Sequence, residues 1–261
     1  MINLDKYISD NIKTNAQVGI ILGSGQSIIK EKIDVEQVVN FNSIPGLRDT
    51  TVSGHSGQFV LGKYNNVNVI VSLGRFHYYE GISFEEVTLP IKILSVLGIK
   101  KIIICNSSGC LKKEWQIGDI MYINGCIDYS FMMKHNQDIL FHDKLNSDNK
   151  STLLKNISND LDFSIREGLY VWVTGPSYET PAEISDMMSL NGGAVGMSTY
   201  PEIQQAINLD LDVYGLAILT NYASGINNEI LSHVDVVNSA QDNIGKLEKA
   251  IFKLIEYIGD K

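Results

Sequence analysis

The sequence predicts an α/β fold, a single domain over residues 1–261 built around a mixed β-sheet. Three observations lead there. Short apolar, β-branched runs alternate with helical patterns along most of the chain. Two of the runs, 58–64 and 67–73, are separated only by Asn65-Asn66, which reads as a hairpin and rules out a purely parallel sheet. No Pro/Ser-rich linker, charge block or change of composition divides the 261 residues, and 44% of them are hydrophobic, enough for one sizeable core.

Taken in order, residues 17–22 read as a buried strand running straight into Gly23-Ser24-Gly25, with a helix expected next. After the hairpin, Ser83 and Glu86 form a capping box for a helix whose apolar positions continue to Leu97 and which Gly98 ends; Pro90 lies inside it. Residues 101–105 read as a central strand that gives way to the loop Asn106-Ser107-Ser108-Gly109, and 119–127 as another strand. The polar stretch 128–150 reads as a long loop before a helix near 151–163. A strand at 168–174 leads to Thr180-Pro181-Ala182-Glu183, a helix start with Thr at the cap, Pro first and Glu third. A short strand at 194–197, a helix at 201–208 and a strand at 213–219 follow. A loop at 221–231 precedes a long amphipathic helix opened by Ser232 or His233.

A formal charge of −9 with no basic cluster argues against nucleic-acid binding. The odd count of three cysteines suggests free thiols in a reducing compartment, and no second Cys/His pair completes a metal site with Cys105 and Cys110. The N-terminus lacks a signal-peptide core, and no apolar stretch approaches the roughly 18 residues that span a bilayer. The expectation is a cytoplasmic protein with no membrane partner.

Polar islands at the ends of the apolar runs carry the chemistry. Gly23-Ser24-Gly25 gives backbone N–H groups close access to an anion, but matches neither G-x-G-x-x-G nor Walker A. Arg75 and His77 stand two apart on an extended segment, so both can reach one oxyanion, Arg through a planar fork of donors. Glu179 beside Tyr178 suits a heterocycle N–H with its ring stacked on the tyrosine. Asn221 offers a donor and an acceptor to a purine edge. Each island alone also has an ordinary reading: a tight turn at Gly23-Ser24-Gly25, a surface Arg beside a core His, a solvated loop carboxylate at Glu179, a turn-forming Asn221.

Together and in this order, Gly74-Arg75-Phe76-His77-x-Tyr79-Glu80-Gly81, Gly175-Pro176-Ser177-Tyr178-Glu179-Thr180 and Gly196-Met197-Ser198-Thr199-x-Pro201-Glu202 resemble the trimeric, high-specificity purine nucleoside phosphorylase family, inosine/guanosine type. The resemblance implies a three-layer α/β/α fold of nucleoside phosphorylase kind. It implies a phosphate site of Ser24, Arg75, His77, the backbone N–H of Ser107, and Ser198. It implies a nucleoside site of Tyr79, Tyr178, Glu179, Met197, Asn221 and His233, with His77, Glu179 and Asn221 catalytic and His55 near the phosphate mouth. The activity implied is phosphate-dependent cleavage of 6-oxopurine nucleosides by a homotrimer, with no metal or organic cofactor and phosphate as co-substrate. A hydrolytic nucleosidase, a methylthioadenosine or modified-nucleoside phosphorylase and a non-catalytic nucleoside binder are the rivals. The chain departs from the family at 128–150, which is shorter than the segment carrying a subunit-crossing Phe; Phe131 and Phe141 are the two phenylalanines available. It departs again at Asn106-Ser107-Ser108-Gly109-Cys110, where relatives have Ala-Ala-Gly-Gly after the Asn.

Overall fold

A computed structural model describes residues 4–23, 25–52, 54–132, 139–227 and 233–259, the side chains of 27, 28 and 233–241 excepted. Its strands are β1 (Val18–Leu22), β2 (Asp34–Asn40), β3 (Gln58–Tyr64), β4 (Val67–Leu73), β5 (Lys101–Cys110), β6 (Ile120–Asp128), β7 (Ile139–Leu140), β8 (Ile165–Trp172), β9 (Gly192–Gly196) and β10 (Asp212–Tyr222). The helices are α1 (Leu4–Asn11), α2 (Phe84–Val87), α3 (Leu89–Val96), α4 (Asp148–Asp160), α5 (Pro181–Ser189), α6 (Tyr200–Asn208) and α7 (His233–Gly259).

The strands form one mixed sheet in the order β10-β6-β8-β9-β5-β1-β4-β3-β2, with β7 on β6. It also closes on itself, because β10 pairs with β5 along nearly its whole length. β5, β10, β6, β8 and β9 thus make a ring from which β1, β4, β3 and β2 fan out.

Side chains alternate across the sheet, as the period of two requires. Ile102 and Ile104 of β5 pack with Ile8, Ile91, Leu94, Ile203 and Ala206 from α1, α3 and α6. Ile103 and Cys105 pack on the other face with Leu154 and Ile157 of α4 and Leu247, Ile251 and Leu254 of α7. A third cluster seats α5, through Ile184 and Met187, on Leu169, Val171 and Val195. The result is helices on both faces of a sheet, the three layers expected.

Several expectations are corrected. Residues 106–109 are not a loop: β5 continues through them to Cys110, because β10 supplies partners from Asp212 to Tyr222. For the same reason Asn221 lies within β10 and does not open a loop. The helix expected after Gly23-Ser24-Gly25 is a short 3-10 helix, Ser27–Lys32. The helix from Ser83 is two helices meeting at Thr88; the capping box forms, but Pro90 has no N–H to continue the first helix and sits in the first turn of the second. The segment 128–150 holds β7 and the start of α4, which begins at Asp148.

Candidate active site

One cavity lies where strands part company. β1 pairs with β5 only from Lys101 to Ile104, and β9 takes the same edge only at Gly109 and Cys110. Residues 105–108 on that edge pair with neither strand. Around this gap the cavity is lined by Gly23, by Arg75, His77 and Tyr79 beyond β4, by Asn106–Gly109, by Tyr178 and Glu179, by Met197 and Ser198 beyond β9, and by Thr220 and Asn221. The expectation of polar groups at 106–109 is met by a strand edge left open, not by a turn.

The segment after β4 is extended, so Arg75 and His77 face the cavity while Phe76 between them packs on Phe41 in the core. Gly74, at φ +126°, makes the turn possible: a Cβ there would come within 2.8 Å of the His55 side chain. Arg75 is sealed, 1% exposed. Its Nη1 donates to Ser198 Oγ at 3.1 Å and to Thr199 Oγ1 at 3.3 Å. Its Nε stands 3.2 Å from Glu202 Oε1 without the alignment of a hydrogen bond. Burial pushes the Glu202 carboxyl up, opposed by Arg75 and the backbone N–H of Thr199.

His77 is oriented by Glu80, whose carboxylate accepts from the His77 backbone N–H at 2.7 Å and meets Nδ1 at 3.2 Å. That contact assigns the ring proton to Nδ1. Burial raises the Glu80 carboxyl, but bonds from His77 and Thr51 outweigh it and hold its pKa at about 2. Tyr79 stacks on His77 at 4.8 Å. His55 packs against His77 at 5.5 Å; burial, then His77 and Arg75, push its pKa down to about 3.

At the other end, the Thr180–Glu183 capping box fixes the start of α5 and with it the preceding Tyr178-Glu179. Burial, followed by Glu183, raises the pKa of Glu179 above the ordinary carboxylate value. The amide of Asn221 is held at both ends: Nδ2 donates to Tyr222 O at 3.1 Å, and Oδ1 accepts from the Thr220 hydroxyl at 2.9 Å. Gly175, at φ +67°, lets Met197 and Tyr79 close on the chain behind it; a Cβ would sit 2.4 Å from Met197 Sδ.

The structure therefore gathers Arg75, His77, Tyr79, Ser107, Tyr178, Glu179, Met197, Ser198 and Asn221 around one cavity. Ser24 lies outside the described residues, as does the side chain of His233, which opens α7. Phe131 and Phe141 are exposed and line no part of the cavity. Residues without an assigned role in the sequence reading complete the site: Asn106, Ser108, Thr199, Glu202, Glu80 and Thr220. Thr199, Glu202 and Glu80 stand inside two of the three diagnostic motifs, which is the signal that could have found them. Among the described residues no cluster of His, Cys, Asp or Glu is placed to hold a metal ion, and no helix is long and apolar enough to cross a membrane.

The family model described as the phosphorylase superfamily matches residues 17–256. The chain is 36% identical to purine nucleoside phosphorylase 1 of Geobacillus stearothermophilus over 244 residues, covering 90% of this chain and 89% of that one. It is 31% identical to purine nucleoside phosphorylase of Rattus norvegicus over 270 residues, covering 97% and 93%. Its fold superposes on a schistosome purine nucleoside phosphorylase in complex with hypoxanthine with a TM-score of 0.84 at 25% identity, covering 97% and 95%. The Schistosoma mansoni enzyme in complex with adenosine superposes with a TM-score of 0.82 at 25% identity, covering 97% and 95%.

Proposed function

The chain belongs to the phosphorylase superfamily and has purine nucleoside phosphorylase activity, and from that premise we propose that it acts on 6-oxopurine nucleosides, inosine and guanosine, giving the free base and pentose 1-phosphate. One observation carries this reading: an anion-ready cluster, Arg75, His77 and Ser198, shares a cavity with a purine-ready pair, Glu179 and Asn221.

In this scheme Arg75, His77 and Ser198, with the open edge of β5 at Ser107 and with Ser24, hold phosphate. Tyr79, Met197 and His233 flank the sugar. The phosphate oxygen attacks the anomeric carbon as the bond to the base breaks, through a transition state of oxocarbenium character. Aiming the nucleophile is the main task at that end. At the base end, negative charge spreads over the departing purine, and the Asn221 N–H donates to N7 or O6 as it grows. The pinned amide supports this role, because Tyr222 O, which can only accept, fixes which end is the donor. Phosphate is the co-substrate.

The ionised Glu179 carboxylate accepts from N1–H of a 6-oxopurine. Adenine presents a bare N1 to the same oxygen, and an unpaired buried polar group costs about 1–3 kcal/mol, or roughly ten- to a hundredfold in rate. A second reading, adenosine as a slower substrate, is favoured by the raised pKa of Glu179 and by the related enzyme in complex with adenosine: a protonated carboxyl would donate to that N1. The family resemblance further supports a homotrimer, which light scattering tests.

The deciding experiment is a substrate panel of inosine, guanosine, adenosine and methylthioadenosine, each with and without phosphate. Base release from inosine and guanosine that requires phosphate is the expected result. Phosphate-independent release would make the protein a hydrolase, and equal rates on adenosine and inosine at neutral pH would refute the base-recognition scheme.

A further inference from the structure

Thr199 occupies backbone geometry that a β-branched residue avoids, φ +72° and ψ −49°. The Tyr200 amide donates to the Ser198 carbonyl at 2.8 Å, closing a γ-turn of the strained hand around it. The side chain is fully buried. Strain of this kind persists only where its surroundings impose it, and here the surroundings are the cavity floor.

The hydroxyl of Thr199 has a defined polarity. Asn106 Nδ2 donates to it at 2.8 Å and Arg75 Nη1 at 3.3 Å. These two donors occupy both of its lone pairs. Its own hydrogen is left for Ser198 Oγ, 3.2 Å away. Ser198 Oγ also accepts from Arg75 Nη1 at 3.1 Å, so its two lone pairs are filled in turn. The Ser198 hydrogen then has only the cavity to turn to. The main chain of Ser198 is pinned as well, since Tyr170 donates from its hydroxyl to Ser198 O at 2.9 Å.

We infer that Thr199 is a positioning residue: its strained, buried hydroxyl relays the polarity of Arg75 and Asn106 to Ser198 and so makes Ser198 an obligate donor to an unprotonated phosphate oxygen. This rests on the reading above that Ser198 binds phosphate, and it adds the residue that sets the direction of that bond. Thr199 itself does not line the cavity. Its backbone conformation places Ser198 at the cavity and its hydroxyl directly beneath.

The test is a double-mutant cycle read as KM for phosphate and KM for inosine in wild type, T199V, S198A and T199V/S198A. T199V keeps the shape and removes the hydroxyl. The expected result is a rise of about tenfold in phosphate KM, as for one lost hydrogen bond to a charged group, with inosine KM within about twofold. Added to S198A, T199V should raise phosphate KM no further. T199S, which keeps the hydroxyl, should lie within about twofold of wild type. An unchanged phosphate KM in T199V, an undiminished effect in the S198A background, or T199S behaving like T199V would each overturn the inference. Should T199V not fold, T199A is read by the same criteria. A wild type whose base release ignores phosphate would instead refute the underlying phosphate reading, so the two failures are distinguishable.

Discussion

Arg75 and Glu202 face each other as an ion pair with side chains only 1% and 2% exposed, under the floor of the cavity. A pair so sealed cannot lose one member cheaply, because the other is left as an uncompensated buried charge.

E202Q is therefore expected to destabilise the protein by about 3 kcal/mol or more, a fall in Tm of roughly 6–12 °C for a chain of this size. Phosphate should restore part of it by supplying the missing negative charge to Arg75. Thermal melts with and without phosphate check both points: the phosphate-induced rise in Tm should be larger in E202Q than in wild type. An equal rise would mean that the ligand does not sense Arg75.

If Glu179 reads the base as proposed, substrate choice depends on pH. Its carboxyl titrates above the ordinary value because it is partly desolvated. In the proposed scheme the ionised form accepts from inosine N1–H and the protonated form donates to adenosine N1. Lowering pH from 8 to 5 should raise the ratio of kcat/KM for adenosine over inosine, and E179Q, whose amide can present either polarity, should flatten that profile. A ratio constant across the range would remove Glu179 from base recognition.

His55 makes the fold acid-sensitive. Its pKa is lowered from 6.5 to about 3, so the unfolded chain takes up a proton that the folded one refuses. Its stability contribution is complete above about pH 6.5 and is lost as pH falls toward 3, by up to about 1.4 kcal/mol per pH unit. Glu80, held at about 2, adds to the same trend only below the ordinary carboxylate value of 4.5. Urea unfolding at pH 6.5 and 4.5 should show the loss in wild type and a much smaller one in H55Q.

The three cysteines should be silent in the native protein. Cys105, Cys110 and Cys126 are all buried. Burial pushes Cys105 to about 12, Cys110 to about 11 and Cys126 higher still. A chromogenic disulfide reagent at pH 8 should react with none of them until denaturant is added, and then with all three. Rapid native labelling would contradict this packing.

The central strands, the hairpin and both capping boxes were legible because burial on a sheet and the satisfaction of a helix end leave local patterns. β2 left none: it is an edge strand, exposed along nearly all of Asp34–Asn40, so no apolar alternation marks it. The short α1 buries only Ile8. The far halves of β5 and β10 escaped notice because each partner stabilises the other, which a reading of either segment by itself does not see. In the site, Arg75, His77, Glu179 and Asn221 were legible from type and spacing, whereas Tyr79, Ser107, Met197 and Ser198 came with the family resemblance. Those that hold them, such as Glu202 and the turn at Thr199, act through contacts more than a hundred positions apart in the chain, as Arg75 with Thr199 does.

The parting of β1 and β9 along one edge of β5 makes the cavity a seam in the fold's own ladder. An anion seated there would stitch two strands that the protein itself leaves unjoined. Occupancy would then tighten the whole sheet, slowing amide exchange at the ends of β1 and β9 and deep in β5, where a site roofed by a surface flap would quieten only the flap.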